Sequence, residues 1–253
     1  MSITIEKHNS VFVLRDDLLP GGTKSILMPS IVGDHPDVKE FVYASPVYGG
    51  FQIALSAYCK QHGKKATIFC AKRIRLHPNT IKCIDLGANI IQVPYGYLSV
   101  VEKHARLYCE TTPTRQKIVF GADTKANREL LSQRALQVFQ VLGQEPDEIW
   151  CAVGSGTLLK SISAVCKTAT IYGVQVGAEF ELQDETTSKI KIIKYEKPFD
   201  KPSKFQAPFP SVENYDLKAY EKCMEHIENK RTGDDERKEE REKCVLFWNV
   251  YGF

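Results

Sequence analysis

The sequence predicts an α/β protein built on parallel β-sheets, and three observations lead to this prediction. Short apolar segments alternate with helical patterns along most of the 253 residues. The connections between successive strands are long enough to return the chain across a sheet, as parallel βαβ units require. The segment 147–153 is almost continuously apolar, which is typical of a strand buried on both faces.

The predicted elements follow one another in a regular order. Strands are predicted at 11–14, 40–45, 66–71, 89–94, 117–122, 147–153, 170–176 and 190–195, and within the apolar C-terminal segment 243–253. Helices are predicted at 51–58, 78–87, 98–110, 127–142, 158–167 and 215–227. Gly63 follows the helix at 51–58 and Gly143 the helix at 127–142, and both are suited to ending them.

Composition indicates a globular protein. Hydrophobic residues make up 43% of the chain and charged residues 26%, and no apolar run reaches the roughly 18 to 20 residues of a membrane span. Without a signal-like N-terminus, a cytoplasmic location is expected. The eight cysteines form no CxxC pair and the histidines show no ligand spacing, so no metal site is expected. A net charge of +3 is too small to indicate nucleic-acid binding by itself.

The segment from Leu14 to Ser25 (LRDDLLPGGTKS) places a lysine behind a glycine turn. A strand ends at Leu14, and Pro20, Gly21 and Gly22 predict a turn immediately before Lys24. Glycines let the backbone approach a ligand closely, and a desolvated lysine can form a Schiff base with an aldehyde. The same pattern also fits an ordinary turn lysine.

Two further loops have the composition of anion-binding sites. Gly154, Ser155, Gly156 and Thr157 lie between the buried strand and a helix, where backbone N–H groups and hydroxyls can bind a phosphate. The loop 45–50 precedes another helix and could bind a carboxylate in the same way. A plain strand-to-helix turn would also explain each loop. Together with Lys24, the two loops suit pyridoxal phosphate and an amino acid.

The motifs also resemble those of a known family. Arg15-Asp16-Asp17 followed by the GGTK segment 21–24, the segment AVGSGT at 152–157, and VLFWNVYG at 245–252 occur in the order found in fold type II pyridoxal-phosphate enzymes, the tryptophan synthase β-like group. The chain is most similar to 1-aminocyclopropane-1-carboxylate deaminases and D-cysteine desulfhydrases, and is shorter than they are.

This resemblance implies two parallel-sheet α/β subdomains. The smaller would cover 40–125; the larger would combine 1–39 with 126–253 and carry the cofactor lysine and the phosphate loop. The resemblance also implies a homodimer and a cytoplasmic role in amino acid metabolism.

The resemblance assigns roles to individual residues. Lys24 would bear the cofactor as a Schiff base and act as the catalytic proton carrier. The other implied cofactor-binding residues are Gly154, Ser155, Gly156, Thr157, Tyr48 and Asn249, and the implied substrate-binding residues are Ser45, Tyr48, Gly49 and Gly50. The sequence departs from the family pattern at Pro46, Val47 and Tyr48, where an asparagine is usual, and at Val250, where a hydroxyl is expected.

The sequence supports three functional hypotheses. The first is a pyridoxal-phosphate-dependent lyase, deaminase or decarboxylase acting on an amino acid or an amino-acid-like amine. The second, motivated by Tyr48 and Val250, is a degenerate member of the fold with a structural or interaction role and no catalysis. The third is an enzyme acting on an amine attached to modified DNA, because six lysines occur between residues 188 and 204.

Overall fold

The computed structural model describes residues 1–33, 35–46, 48–94, 96–119, 123–177, 189–233 and 242–251. It divides into two compact units, one formed by 1–18 with 128–253 and the other by 19–127. Val47 of the loop 45–50 and residues 120–122 of the predicted strand 117–122 lie outside the described residues.

The regular elements alternate between strands and helices along most of the chain. The strands are β1 (Ile5–His8), β2 (Val11–Arg15), β3 (Glu40–Ala44), β4 (Lys65–Ala71), β5 (Asn89–Val93), β6 (Arg115–Ile118), β7 (Glu148–Val153), β8 (Thr170–Gln175), β9 (Ile190–Lys194) and β10 (Val245–Asn249). The α-helices are α1 (Met28–Val32), α2 (Phe51–Gln61), α3 (Pro78–Asp85), α4 (Leu98–Glu110), α5 (Lys125–Leu142), α6 (Thr157–Ser163) and α7 (Asp216–Gly233). Two short 3-10 helices cover Asp16–Leu18 and Gly22–Leu27.

The first unit contains a six-stranded sheet with the order β1-β2-β10-β7-β8-β9. All neighbouring strands are parallel except β1 and β2, which form an antiparallel hairpin. The apolar side chains of the central strands alternate between two cores: Trp150 and Phe247 belong to one, and Ile149 and Leu246 to the other. This double burial explains why β7 is apolar at nearly every position.

The second unit contains a four-stranded, entirely parallel sheet with the order β5-β4-β3-β6. Its central strand β3 is buried along its whole length. Val42 and Phe69 pack against Val101 and Ala105 of α4. Each parallel connection needs a crossover, which α2, α3 and α4 supply.

The predicted α/β class with parallel sheets is therefore confirmed. Several details differ from the prediction. β1, α1 and the two 3-10 helices were not predicted, β6 begins at Arg115, α6 ends at Ser163, and α7 extends to Gly233. The division of the chain differs as well, since the segment 19–39, which carries Lys24, groups with 40–127 and not with the larger unit. The glycine turn at Gly21 packs against α2 of this second unit, and this contact is one reason for the grouping.

The Arg15-Asp16-Asp17 motif ties β2 to its surroundings in the first unit. The Arg15 guanidinium donates two hydrogen bonds of 2.9 Å to the carboxylate of Asp17 and one of 2.5 Å to Glu6. Asp16 is fully buried and accepts hydrogen bonds from Arg134 Nη2 at 2.6 Å and from Trp248 Nε1 at 3.1 Å. The motif therefore stabilises the fold through paired buried charges.

Candidate active site

The predicted site residues are distributed over both units. Lys24, Ser45, Tyr48, Gly49 and Gly50 belong to the second unit, and Gly154, Ser155, Gly156, Thr157 and Asn249 belong to the first. Within each unit, these residues lie in loops, in a 3-10 helix or at the ends of strands and helices.

Close packing fixes the turn before Lys24. Gly21 and Gly22 have φ angles of 91° and 73°, in the left-handed region that favours glycine. A Cβ atom on Gly21 would lie 2.4 Å from Cα of Ala54 in α2, so no larger residue fits there. Lys24 lies in the 3-10 helix after this turn, half-buried between the buried residues Thr23 and Ser25. Packing therefore fixes the backbone at Lys24. This favours a lysine with a defined position over an ordinary, solvated turn lysine.

The loop 45–50, which we call the substrate loop, leads from β3 into α2, the same helix that packs against Gly21. The Ser45 N–H donates to the Phe69 carbonyl at 2.8 Å, which extends the sheet by one residue. The Gly49 N–H donates to the Pro46 carbonyl at 3.0 Å, and Gln52 Nε2 donates to the Gly49 carbonyl at 2.9 Å. Ser45 and Gln52 are buried, so the loop is anchored at both ends.

Tyr48 in the substrate loop is held by residues around the start of α3. Its carbonyl accepts a hydrogen bond of 3.2 Å from Asn79 Nδ2, and its ring packs edge-on against His77 with centroids 4.9 Å apart. The Arg73 guanidinium lies 5.6 Å from the centre of the Tyr48 ring. Burial, assisted by the positive charge of Arg73, lowers the pKa of His77, so this imidazole is neutral at physiological pH.

Asn79 was not identified from the sequence. Its side chain is buried, and its Oδ1 atom has no hydrogen-bond partner among the described residues. A polar residue at the first turn of a predicted helix is ordinary, so the sequence carries no signal for this contact.

The phosphate loop, residues 154–157, connects β7 to α6. Gly156 has a φ angle of 77°, and the hydroxyls of Ser155 and Thr157 lie 3.0 Å apart. Within the described ranges, no carbonyl oxygen accepts the backbone N–H groups of Ser155 and Gly156. Two N–H donors and two hydroxyls at the carboxyl end of a parallel strand suit a phosphate group, so these residues fit the phosphate of the cofactor.

Tyr215 forms one wall of the phosphate loop and was also not identified from the sequence. Its hydroxyl donates a hydrogen bond of 3.5 Å to the Ala152 carbonyl at the end of β7. A Cβ atom on Gly154 would lie 3.1 Å from the same hydroxyl, so the loop needs glycine there. Burial, followed by the charge of Asp216, raises the pKa of Tyr215 and keeps the phenol neutral. Tyr215 is 61 positions from Gly154 in the sequence, and no local pattern links them.

Asn249 is fully buried at the end of β10, and its amide bonds to a neighbouring loop. Its Nδ2 atom donates to the Pro210 carbonyl at 2.8 Å, and its Oδ1 atom accepts from the Ser211 hydroxyl at 2.9 Å. Val250, the next residue, is buried and apolar. The side chain that forms a hydrogen bond with the Asn249 amide is therefore that of Ser211.

All eight cysteines are free thiols. No group of three or more metal-ligating side chains is found in the described part of the chain. Among these same residues, no helix is long and apolar enough to span a membrane.

Comparison with known proteins identifies the family. The model of the family "Pyridoxal-phosphate dependent enzyme" matches residues 4–230. The chain belongs to this family. Pyridoxal phosphate is the cofactor of these enzymes, in agreement with the prediction from Lys24 and the phosphate loop. No protein with a curated description matches the sequence.

Solved structures similar to this pyridoxal-phosphate family member share its fold. A homologue of ACC deaminase has a TM-score of 0.76 at 16% identity, covering 96% of this chain and 84% of its own. A hydrogen sulfide-producing enzyme from Fusobacterium nucleatum has a TM-score of 0.71 at 10% identity, covering 99% and 94%. An O-acetylserine dependent cystathionine beta-synthase from Helicobacter pylori has a TM-score of 0.69 at 14% identity, covering 99% and 92%. The predicted resemblance to fold type II enzymes is thus confirmed.

Proposed function

We propose that the protein is a pyridoxal-phosphate-dependent lyase or deaminase that acts on an amino acid or an amino-acid-like amine, with the cofactor attached to Lys24. The observation that carries this proposal is the close contact of Gly21 with Ala54. It fixes the backbone that leads into Lys24. A lysine held in this way needs little reorganisation to present its amine to an aldehyde.

The phosphate loop is the proposed anchor of the cofactor phosphate. The N–H groups of Ser155 and Gly156 and the hydroxyls of Ser155 and Thr157 would donate hydrogen bonds to it. Tyr215 would keep the loop in shape by packing against Gly154 and by its hydrogen bond to the Ala152 carbonyl. When bound, pyridoxal phosphate acts as an electron sink for negative charge at the substrate α-carbon.

Lys24 is the proposed proton carrier. The Lys24 amine would hold the cofactor through its aldehyde, and when free it would carry a proton to or from the substrate α-carbon. A lysine can serve in both roles because its free, neutral amine is a nucleophile toward an aldehyde and also a base that can take up a proton.

The substrate loop is the proposed site for the substrate carboxylate. Ser45 and Gly49 lie at a turn that is held by Phe69 and Gln52, so the backbone there is ordered before a substrate binds. An amino acid substrate also agrees with the similar structures, which include an ACC deaminase homologue and a hydrogen sulfide-producing enzyme. We further propose a homodimer, which sedimentation equilibrium would test.

The proposal is tested by the visible absorbance of the purified protein titrated with pyridoxal phosphate. Wild-type protein should acquire the absorbance of a lysine-linked cofactor, and Lys24→Ala should not. Lys103→Ala removes an exposed lysine of α4 in the same unit and should behave as wild type. Equal absorbance in the Lys24 and Lys103 variants would contradict the proposal.

The chemistry is tested separately by a screen of L- and D-amino acids for release of ammonia or a 2-oxo acid. Turnover of at least one amino acid that is lost in Lys24→Ala would support the lyase or deaminase assignment. A protein that binds the cofactor and turns over none of them would instead support a non-catalytic role.

A further inference from the structure

The second unit carries a cluster of positive charge at the edge of its sheet from which the substrate loop begins. β3 and β4 are parallel neighbours, with Ala44 opposite Phe69. The substrate loop follows β3, and the segment 72–77, which we call the basic loop, follows β4. Because parallel strands end at the same edge of a sheet, the two loops leave the sheet side by side. The three basic residues of this second loop are Lys72, Arg73 and Arg75.

Arg73 is held next to the substrate loop. Its N–H donates a hydrogen bond of 3.2 Å to the side-chain oxygen of Gln92 in β5, which fixes the backbone from which its side chain extends. Its guanidinium carbon lies 5.6 Å from the centre of the Tyr48 ring, within the range of a cation–π interaction. Tyr48 is in turn held by Asn79 and His77. The guanidinium therefore has a defined place beside the loop that is proposed to bind the substrate carboxylate.

The positive charge of Arg73 is not balanced within the part of the chain that the structure describes. Its side chain is exposed, and among the described residues it forms no ion pair and donates no hydrogen bond. The sequence from 41 to 84, which runs from β3 through the basic loop into α3, contains no aspartate or glutamate. By contrast, Arg115 of the same unit pairs with Glu40 at 2.9 Å. Arg73 therefore offers its charge and its N–H donors to a ligand.

The chemistry of the guanidinium indicates which ligand it would take. Its planar fork of N–H donors matches the oxygens of a carboxylate or a phosphate. An amino acid whose α-carboxylate lies at the substrate loop would extend its side chain away from that loop. An anionic group at the far end of this side chain could then pair with Arg73, whereas an apolar side chain would gain nothing from it.

We propose that Arg73 binds a second anionic group of the substrate, so that the substrate is an amino acid with an acidic side chain, and that Tyr48 is the positioning residue of Arg73. This inference rests on the proposed function, because it requires the α-carboxylate to bind at the substrate loop. It also gives a role to Tyr48, one of the positions at which the sequence departs from the family pattern. The aromatic ring there supports a guanidinium.

The test compares succinate with butyrate, which has the same number of carbons but one carboxylate instead of two. Neither has an amine, so binding is measured without chemistry, by calorimetric titration of the pyridoxal-phosphate-loaded protein. Wild-type protein should bind succinate roughly tenfold more tightly, as one charge-assisted hydrogen bond provides. Arg73→Ala should lose this preference, and Arg73→Lys should keep part of it, since a lysine retains the charge without the fork. A titration with 3-phosphonopropionate shows whether the site prefers a phosphate-like group or a carboxylate.

The matched control is Arg106→Ala, which removes an exposed arginine of the same unit that is paired with Glu110. It should leave the preference for succinate unchanged. Tyr48→Phe keeps an aromatic ring under the guanidinium and should keep the preference, whereas Tyr48→Leu should reduce it. A preference that persists in Arg73→Ala, or that falls equally in Arg106→Ala, would overturn the inference.

The same titrations separate this inference from the proposed function. Protein that takes up pyridoxal phosphate on Lys24 and binds succinate and butyrate equally would overturn the role of Arg73 and leave the proposed function standing. Protein that takes up no pyridoxal phosphate would contradict the proposed function, and the inference would fall with it.

Discussion

Arg134 donates a hydrogen bond of 2.6 Å to the carboxylate of Asp16, and both side chains are buried. The pair links α5 to the end of β2, and Trp248 of β10 donates to the same carboxylate. Arg134 also donates to the carbonyls of Met1 and Ser2. One ion pair therefore connects the N-terminal segment, the helix α5 and the strand β10.

Replacing Asp16 with asparagine should destabilise the first unit strongly. The change leaves the Arg134 charge buried without a counter-charge, which costs about 3–5 kcal/mol of the free energy of unfolding. Urea unfolding followed by tryptophan fluorescence would measure this loss. Glu225→Gln, in the partly exposed pair with Lys222, is the matched control and should cost about 0.5 kcal/mol or less. Comparable losses in the two variants would contradict a stabilising role for the Arg15-Asp16-Asp17 motif.

Replacing Gly21 with alanine should disrupt the second unit and cofactor attachment together. The new methyl group would meet the backbone of Ala54 at 2.4 Å, and the left-handed φ angle adds strain. Gly63→Ala is a matched control, because Gly63 also has a positive φ angle but no neighbouring atom within 4 Å of the added Cβ. Its cost should be limited to the conformational penalty of about 1–2 kcal/mol. Thermal unfolding and cofactor titration of both variants measure the difference. If Gly21→Ala lost no more stability or cofactor affinity than Gly63→Ala, the close packing of Gly21 against Ala54 would be contradicted.

Replacing Tyr215 with phenylalanine should weaken cofactor binding while the protein stays folded. The Ala152 carbonyl would lose the hydrogen bond from the Tyr215 hydroxyl, which costs about 0.5–1.5 kcal/mol, and Gly154 would lose the oxygen that packs against it. The phosphate loop would then hold the phosphate less precisely, so the dissociation constant of pyridoxal phosphate should rise severalfold, as titration would show. Tyr220→Phe, at a buried tyrosine in the core of the same unit, should leave it unchanged. An unaltered dissociation constant in Tyr215→Phe would contradict a role for Tyr215 in cofactor binding.

The sequence is sufficient to predict elements whose pattern is local. The apolar runs of β3 and β7 and the glycine turn before Lys24 are of this kind. β1 was missed because three of the four residues in its sequence, IEKH, are polar, as suits an edge strand. The 3-10 helix around Lys24 was missed because a glycine turn alone does not specify the conformation of the residues after it.

The missing site residues have a different explanation. Tyr215, Ser211 and Asn79 contact Gly154, Asn249 and Tyr48, which are distant from them in sequence. Helical and strand periodicities report which face of an element is buried. They do not report which distant side chain meets it, so these residues emerge only from the three-dimensional arrangement.

The stability of the second unit should depend on pH through Glu40. Burial by itself would raise the pKa of this carboxyl, but hydrogen bonds from Thr67, Arg115 and Tyr108 outweigh burial and lower the pKa below 4.5. The stabilisation is therefore complete above the unfolded-state pKa and is lost as pH falls through the lowered folded-state pKa. Glu40→Gln should be less stable near neutral pH and should show a weaker loss of stability in acid. Free energies of unfolding should be measured for the wild-type protein and Glu40→Gln from neutral to acidic pH. Parallel curves for the two proteins would show that Glu40 makes no such contribution.

The central claim is that Lys24 carries the cofactor. Its most direct test is reduction of the pyridoxal-phosphate-loaded protein with borohydride, followed by proteolysis and mass spectrometry to locate the labelled lysine. We expect one stoichiometric pyridoxyl modification, on Lys24. Stoichiometric labelling of another lysine, or no labelling of protein saturated with the cofactor, would contradict the claim.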